Sequence, residues 1–164
     1  MILMNAVLVA TDFGETSSAA LIYGRNLART FGARLYVLHV AEKLSATAGD
    51  ELFAGDLDAL QADVVERATS RLEAALTDND LTALRAAPVV RASTDPARAI
   101  IDFAKETHVD IVVVGTHGRG PVSRLFMGSV AEHVVRQAPC PVLVVRPNEH
   151  EFVVPDPVSV HTRI

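Results

Sequence analysis

Apolar residues run almost unbroken from Ile2 to Ala10, and such a run predicts a strand buried on both faces. From Thr16 the spacing changes. Ala20, Leu21, Gly24, Leu27, Ala28 and Phe31 recur at helical intervals, and Gly32 stands where such a helix would stop. Leu35–Val40 ("LYVLHV") reads as a second strand. A stretch of small and acidic residues, Glu42 to Asp56, shows no period and reads as a loop. Leu57, Leu60, Val64, Ala68, Leu72, Ala75 and Leu76 then mark one face of a long amphipathic helix.

The same alternation continues to the end of the pattern. Ala86–Arg91 is a short third strand, and Asp95 followed by Pro96 supplies an N-cap and a first-turn proline for a helix to about residue 107. Asp110–Gly115 ("DIVVVG") is a fourth strand, Ser129–Gln137 a helix, and Val142–Val145 ("VLVV") a fifth strand. Strand and helix in strict succession predict an α/β fold: an open five-stranded parallel sheet with helices on both faces, Rossmann-like in build. Residues 1–147 form one domain on this reading. The tail, 148–164, carries Pro155 and Pro157 and no periodicity, and reads as an arm.

Composition narrows the class. With 164 residues the chain can bury a real core, and 49% hydrophobic against 21% charged residues is the balance of a globular domain. The net charge of −5 gives no basic face for nucleic acid. Cys140 is the only cysteine, which excludes a disulfide framework and a thiolate zinc site; between Pro139 and Pro141 it reads as buried and inert. The first ten residues are too short and lack the basic flank of a signal peptide, and no apolar run reaches the roughly 18 residues of a membrane span. The cytoplasm is the expected compartment.

The candidate chemistry lies after the fourth strand, in "GTHGRGPVSRLFMGS", Gly115 to Ser129. This connection exceeds the usual 2–6 residues between strand and helix. Gly115, Gly118 and Gly120 permit close backbone approach, and Gly128-Ser129 opens a helix whose free N–H groups favour an anion. Arg119 and Arg124 can add positive charge from the rim. Two ligand-free readings stand beside this one: a long loop needing glycine only to turn, and a capping box made by Ser129 and Glu132. Lysine is absent from the loop, so it is no Walker-type phosphate site.

Other signals carry less. Asp12-Phe13-Gly14 matches the kinase metal-binding triplet, but the chain is too short for a kinase and has no H-R-D loop. None of the 6 histidines are spaced at i and i+4 for a metal. His39 reads as a satisfied, partly buried ring, and His117 as a loop residue near the phosphates.

The spacing G-x2-G-x9-G-[S/T], met by Gly115, Gly118, Gly128 and Ser129, resembles the nucleotide-binding signature of the universal stress protein family, in its ATP-binding branch. "VLVATDFGETSSAAL", "LYVLHV", "DIVVVGTHGRG" and "APCPVLVVRP" are similar to that family too, so the likeness spans Ile2 to about Pro147. It implies the sheet order 3-2-1-4-5 of the adenine-nucleotide alpha-hydrolase-like folds, with ATP, and Mg²⁺ as a candidate companion, between the first and fourth strand ends. Asp12 would be the acid near the adenosine; Ala10, Thr11, Val40 and Val114 the adenine and ribose wall; Gly115, Gly118, Gly128 and Ser129 the phosphate loop, with His117, Arg119 and Val130 beside it. Ala10 stands where relatives often have proline, and "RASTDPA" lacks a glycine that many members carry there. The resemblance also implies a homodimer through strand Val142–Val145, with Phe152, Val153 and Val154 available to cover the joint. Three uses of the pocket stay open: ATP held as a signal or stabilising ligand, slow ATP hydrolysis or phosphotransfer, and a module binding AMP or another adenosine ligand.

Overall fold

The computed structural model describes residues 1–45, 54–116 and 127–146. Its elements follow in chain order: β1 (Ala6–Ala10), α1 (Glu15–Phe31), β2 (Arg34–Glu42), α2 (Ala54–Ala75), α3 (Asp78–Ala83), β3 (Ala87–Ser93), α4 (Pro96–Glu106), β4 (Ile111–Gly115), α5 (Ser129–Gln137) and β5 (Val142–Val145). The strands form one sheet in the order β3-β2-β1-β4-β5, and every pairing is parallel. This is the order and the fold expected from the sequence.

Alternate strand residues supply two cores. Val7, Val9, Leu35, Val37 and Val113 pack with Ala20 and Leu21 of α1, Leu72 of α2 and Leu76 just past its end. Leu8, Leu38, Val112 and Val114 turn to the other face and meet Ile100, Ile101, Phe103, Ala131 and Val134 of α4 and α5. A strand buried on both sides needs apolar residues at every position, which is why β1 and β4 read as unbroken runs. Gly24, in the middle of α1, is there for packing: a Cβ would overlap the Cγ2 of Val9. Glycine costs a helix interior roughly 0.5–1 kcal/mol relative to alanine; here it lets α1 lie close to the sheet.

Several boundaries differ from the sequence reading: β2 runs Arg34–Glu42, beyond the expected Leu35–Val40, and α2 starts at Ala54, inside the stretch read as a loop to Asp56. The first strand begins at Ala6, not Ile2, because the Asp110 carboxylate takes the N–H groups of Asn5 (2.6 Å) and Ala6 (2.9 Å) and ends the ladder there. Met1, Ile2 and Leu3 are exposed. The third strand reaches Ser93, two residues past Arg91, since β2 itself extends to Glu42 and offers partners. A short helix, α3, was not expected from the sequence. Thr77 caps it and Asp80 reciprocates, with Asp80 N–H donating to Thr77 Oγ1 (3.2 Å) and Thr77 N–H to Asp80 Oδ2 (2.9 Å). Arg25 of α1 also donates to Asp80 (2.9 Å) and to the carbonyl of Ala75, which ties the α2–β3 connection to α1.

Candidate functional site

A cavity of about 440 Å³ opens beyond the carboxyl ends of β1, β2 and β4. This is the crevice where strand order reverses, the place in open parallel sheets where ligands collect. Its lining includes Ala10 at the end of β1 with Thr11 and Asp12 after it, Leu38, His39 and Val40 of β2, and Val114 and Gly115 of β4 with Thr116 after it. Pro96 and Ile100 of α4 close one side; Gly128, Ser129, Val130 and Ala131 at the start of α5 close another. The structure thus brings together Ala10, Thr11, Asp12, Val40, Val114, Gly115, Gly128, Ser129 and Val130. His117, Gly118, Arg119, Gly120 and Arg124 lie outside the described residues, as does the tail.

The turn after β1 is tied at almost every polar group. Thr11 N–H donates to the carbonyl of Leu38 (2.9 Å). Thr11 Oγ1 accepts from Phe13 N–H (3.0 Å) and donates to Ser17 Oγ (3.1 Å), which in turn donates to the carbonyl of Gly14 (3.0 Å). Asp12 Oδ1 accepts from Gly14 N–H (2.9 Å). These local bonds hold Phe13 at φ 63°, a conformation rare for an aromatic residue. His39 lies 2.8 Å from the Thr11 carbonyl through Nδ1, and its ring packs against Phe13, tilted at 39° with centroids 4.4 Å apart. A carbonyl only accepts, so His39 carries its proton on Nδ1. The satisfied ring read from the sequence is what the fold contains.

Val40 enters differently. The backbone of Leu38 faces β1, and a strand repeats every two residues, so the N–H and C=O of Val40 turn to that same side, past the end of β1.

The α5 side is built from backbone. Thr116, buried at the end of β4, donates its N–H to Val145 (2.8 Å) and accepts from Gly128 N–H (2.6 Å), so the long connection is pinched shut at its base. Gly128 is the N-cap of α5 and supplies no side-chain hydrogen bond to the helix. The expected capping box does not form. Ser129 is already the first helical residue, one place too late to cap, and Glu132 pairs instead with Arg136 (2.8 Å). The first N–H groups of α5 therefore meet the cavity without a carboxylate or hydroxyl cap, together with the positive end of the helix dipole.

Gly115 has a second reason for being glycine. A Cβ there would stand 2.8 Å from Thr16 Oγ1 and 2.9 Å from the Thr16 backbone carbon. The sequence reading gave this glycine to a ligand or to the turning of the loop; its missing side chain faces the start of α1.

Among the described residues no group of three His, Cys, Asp or Glu side chains gathers to hold a metal, and no helix is long and apolar enough to cross a membrane. Cys140 is half-buried, and that burial, with the charge of Asp110, pushes its thiol above the usual range and disfavours the thiolate.

The profile of the universal stress protein family matches residues 4–146. A universal stress protein of Thermus aquaticus is 33% identical over 144 residues, which cover 88% of this chain and 100% of that relative. Among solved structures, the universal stress protein UspA from Lactobacillus plantarum superposes with a TM-score of 0.69 at 25% identity, over 89% of this chain and 100% of its own. The universal stress protein from Archaeoglobus fulgidus, in complex with dAMP, shares the fold at 22% identity and a TM-score of 0.53, over 88% and 99% of the two chains. With its strand order, its glycine spacing and a family match over nearly its whole described length, the chain belongs to the universal stress protein family.

Proposed function

We propose that this chain is an ATP-binding universal stress protein of the cytoplasm, holding the nucleotide as a signal or stabilising ligand. The observation that carries the reading is the pairing of two unlike ends in one cavity: an apolar side at Val40, Pro96, Ile100 and Val114, and the uncapped start of α5. A flat base suits the first and phosphates the second. In this reading Val40 offers backbone donor and acceptor to the edge of adenine, Asp12 stands by the ribose, and Ser129 and Val130 meet phosphate with N–H groups, with Gly128 letting the backbone come close beside them. Gly118, Arg119 and His117 complete the phosphate side by their place in the motif. The A. fulgidus relative with dAMP supports an adenine nucleotide in a site of this fold.

Hydrolysis is slow in this proposal. Phosphoryl transfer needs charge neutralisation at the γ-phosphate and a placed nucleophile, and the loop contains no lysine. His39, the histidine that lines the cavity among the described residues, is engaged by Thr11 and Phe13. Mg²⁺ would travel with the phosphates, with Asp12 as the nearby carboxylate. Denaturing the purified protein and identifying the released nucleotide tests the reading, followed by calorimetry with ATP and by phosphate release. Tight ATP binding with turnover far below the roughly 1–100 per second of kinases is expected. Absence of both co-purified nucleotide and ATP binding would overturn it.

The proposal includes a homodimer. β5 is an edge strand, and Val130 and Val135 of the neighbouring α5 are exposed apolar residues. Exposed strand edges pair readily with another chain, and a two-fold axis would close the assembly. Sedimentation at micromolar concentration should give twice the chain mass; a monomer would remove the dimer without touching the nucleotide site.

A further inference from the structure

We infer that Gly115 and Ser17 are positioning residues for the nucleoside end of the cavity, and that Gly115 does not serve the phosphate end to which its place in the motif assigns it. The inference rests on the nucleotide reading above.

The argument starts from what surrounds Gly115. Its missing Cβ would meet Oγ1, C and Cβ of Thr16 at 2.8–2.9 Å, all closer than real Cβ contacts come. Glycine at this point therefore lets the first turn of α1 close onto the end of β4. The next residue along α1, Ser17, is 3% exposed and receives the Thr11 hydroxyl while donating to Gly14. Thr11 and Gly14 bracket Asp12, and Gly14 N–H holds the Asp12 carboxylate. A chain of direct contacts thus runs from Gly115 through Thr16 and Ser17 to the turn that carries Asp12. Something must shift to admit an alanine at these distances, and displacing α1 would move that turn. The phosphate end, by contrast, hangs from Gly128 and its bond to Thr116.

Two ligands separate the roles: adenosine, which has only the nucleoside, and ATP. Gly115→Ala should lower the affinity for both by the same factor, roughly tenfold, as expected when a polar contact to a charged group is disturbed. The ATP-to-adenosine affinity ratio should stay at the native value. Ser17→Ala should do the same while leaving Gly115 untouched, and it carries the test by itself if Gly115→Ala fails to fold. Adding Thr16→Gly to Gly115→Ala removes the two side-chain obstructions and should recover much of the adenosine affinity. A fall in ATP affinity with adenosine unchanged would place Gly115 at the phosphates and overturn the inference. Native protein that binds neither ligand would instead defeat the nucleotide reading itself, and this inference with it.

Discussion

α4 and α5 lie side by side on one face of the sheet and begin at the same edge of the same cavity, yet their first turns are made in opposite ways. α4 closes its own start. Asp95 accepts from Arg98 N–H at 3.0 Å, and Pro96 at the first position has no N–H to satisfy. α5 begins with Gly128 and brings no side chain to its first amides. A capping carboxylate occupies the first amides and repels an anion; amides without such a cap attract one, and the first-turn Glu132 of α5 turns instead to Arg136. The comparison teaches that polarity in this cavity is set by which helix caps itself. The capped helix contributes Pro96 and Ile100 as apolar wall, and the uncapped one contributes donors.

Making α5 imitate α4 should have the largest effect. Gly128 has φ −63° and ψ 149°, a conformation open to any residue, so Gly128→Asp can be made without backbone strain. The new carboxylate would cap the helix and occupy the phosphate end. ATP affinity should fall at least about tenfold, about 1.4 kcal/mol, with adenosine binding unchanged and ligand-free stability equal or slightly higher. Equal affinity for ATP in calorimetry would mean that the start of α5 holds no phosphate.

The reciprocal change acts on stability alone. Asp95→Ala removes the cap of α4 and should cost about 1 kcal/mol in denaturant unfolding, leaving ATP affinity as it was. A matching loss of affinity would show that the two helix starts are not independent.

The smallest effect is expected at the far end of α4. Glu106 sits on its last turn and is held by Arg91, whose hydrogen bond keeps the carboxyl below its ordinary 4.5. A depressed folded-state pKa stabilises above the unfolded value and is lost as pH falls through the folded one. Glu106→Gln should therefore lower the melting temperature slightly near neutral pH and not at all well below pH 4.5. The pair is exposed, so the difference is small. Any change in ATP affinity would contradict the assignment of α4 as mere wall.

How much of this was legible before the fold is clearest residue by residue. Runs such as Ile111–Gly115 gave the buried strands because both faces demand apolar side chains. Asp95-Pro96 gave the start of α4 to the residue, since cap chemistry is local. The glycine spacing brought Gly115, Gly128 and Ser129 to one cavity with Thr11 and Asp12. What stayed hidden depended on partners distant in sequence. Asp110 reaching Asn5 and Ala6 shortened β1 across more than a hundred positions. The α3 signal, Thr77 to Asp80, was present as a capping box, but six residues are too few to show a hydrophobic period. The contact of Gly115 with Thr16 could not be read, because a glycine needed for packing looks the same in sequence as one needed for a ligand. Ser129 and Glu132 show the converse: the helix begins at Ser129 as read, one residue earlier than a cap at Ser129 would require, and Arg136 takes the glutamate.

The bond from Gly128 N–H to the carbonyl of Thr116 has a consequence for how such a protein can diversify. It fastens the two ends of the intervening segment to each other, and Thr116 is fastened in turn to β5. The framework thereby presents a socket with fixed edges. Lengthening the insert by a factor of two costs only about 0.6 kcal/mol of closure entropy, and neither edge need move. Changes of length between those two edges therefore need not reach the sheet beneath.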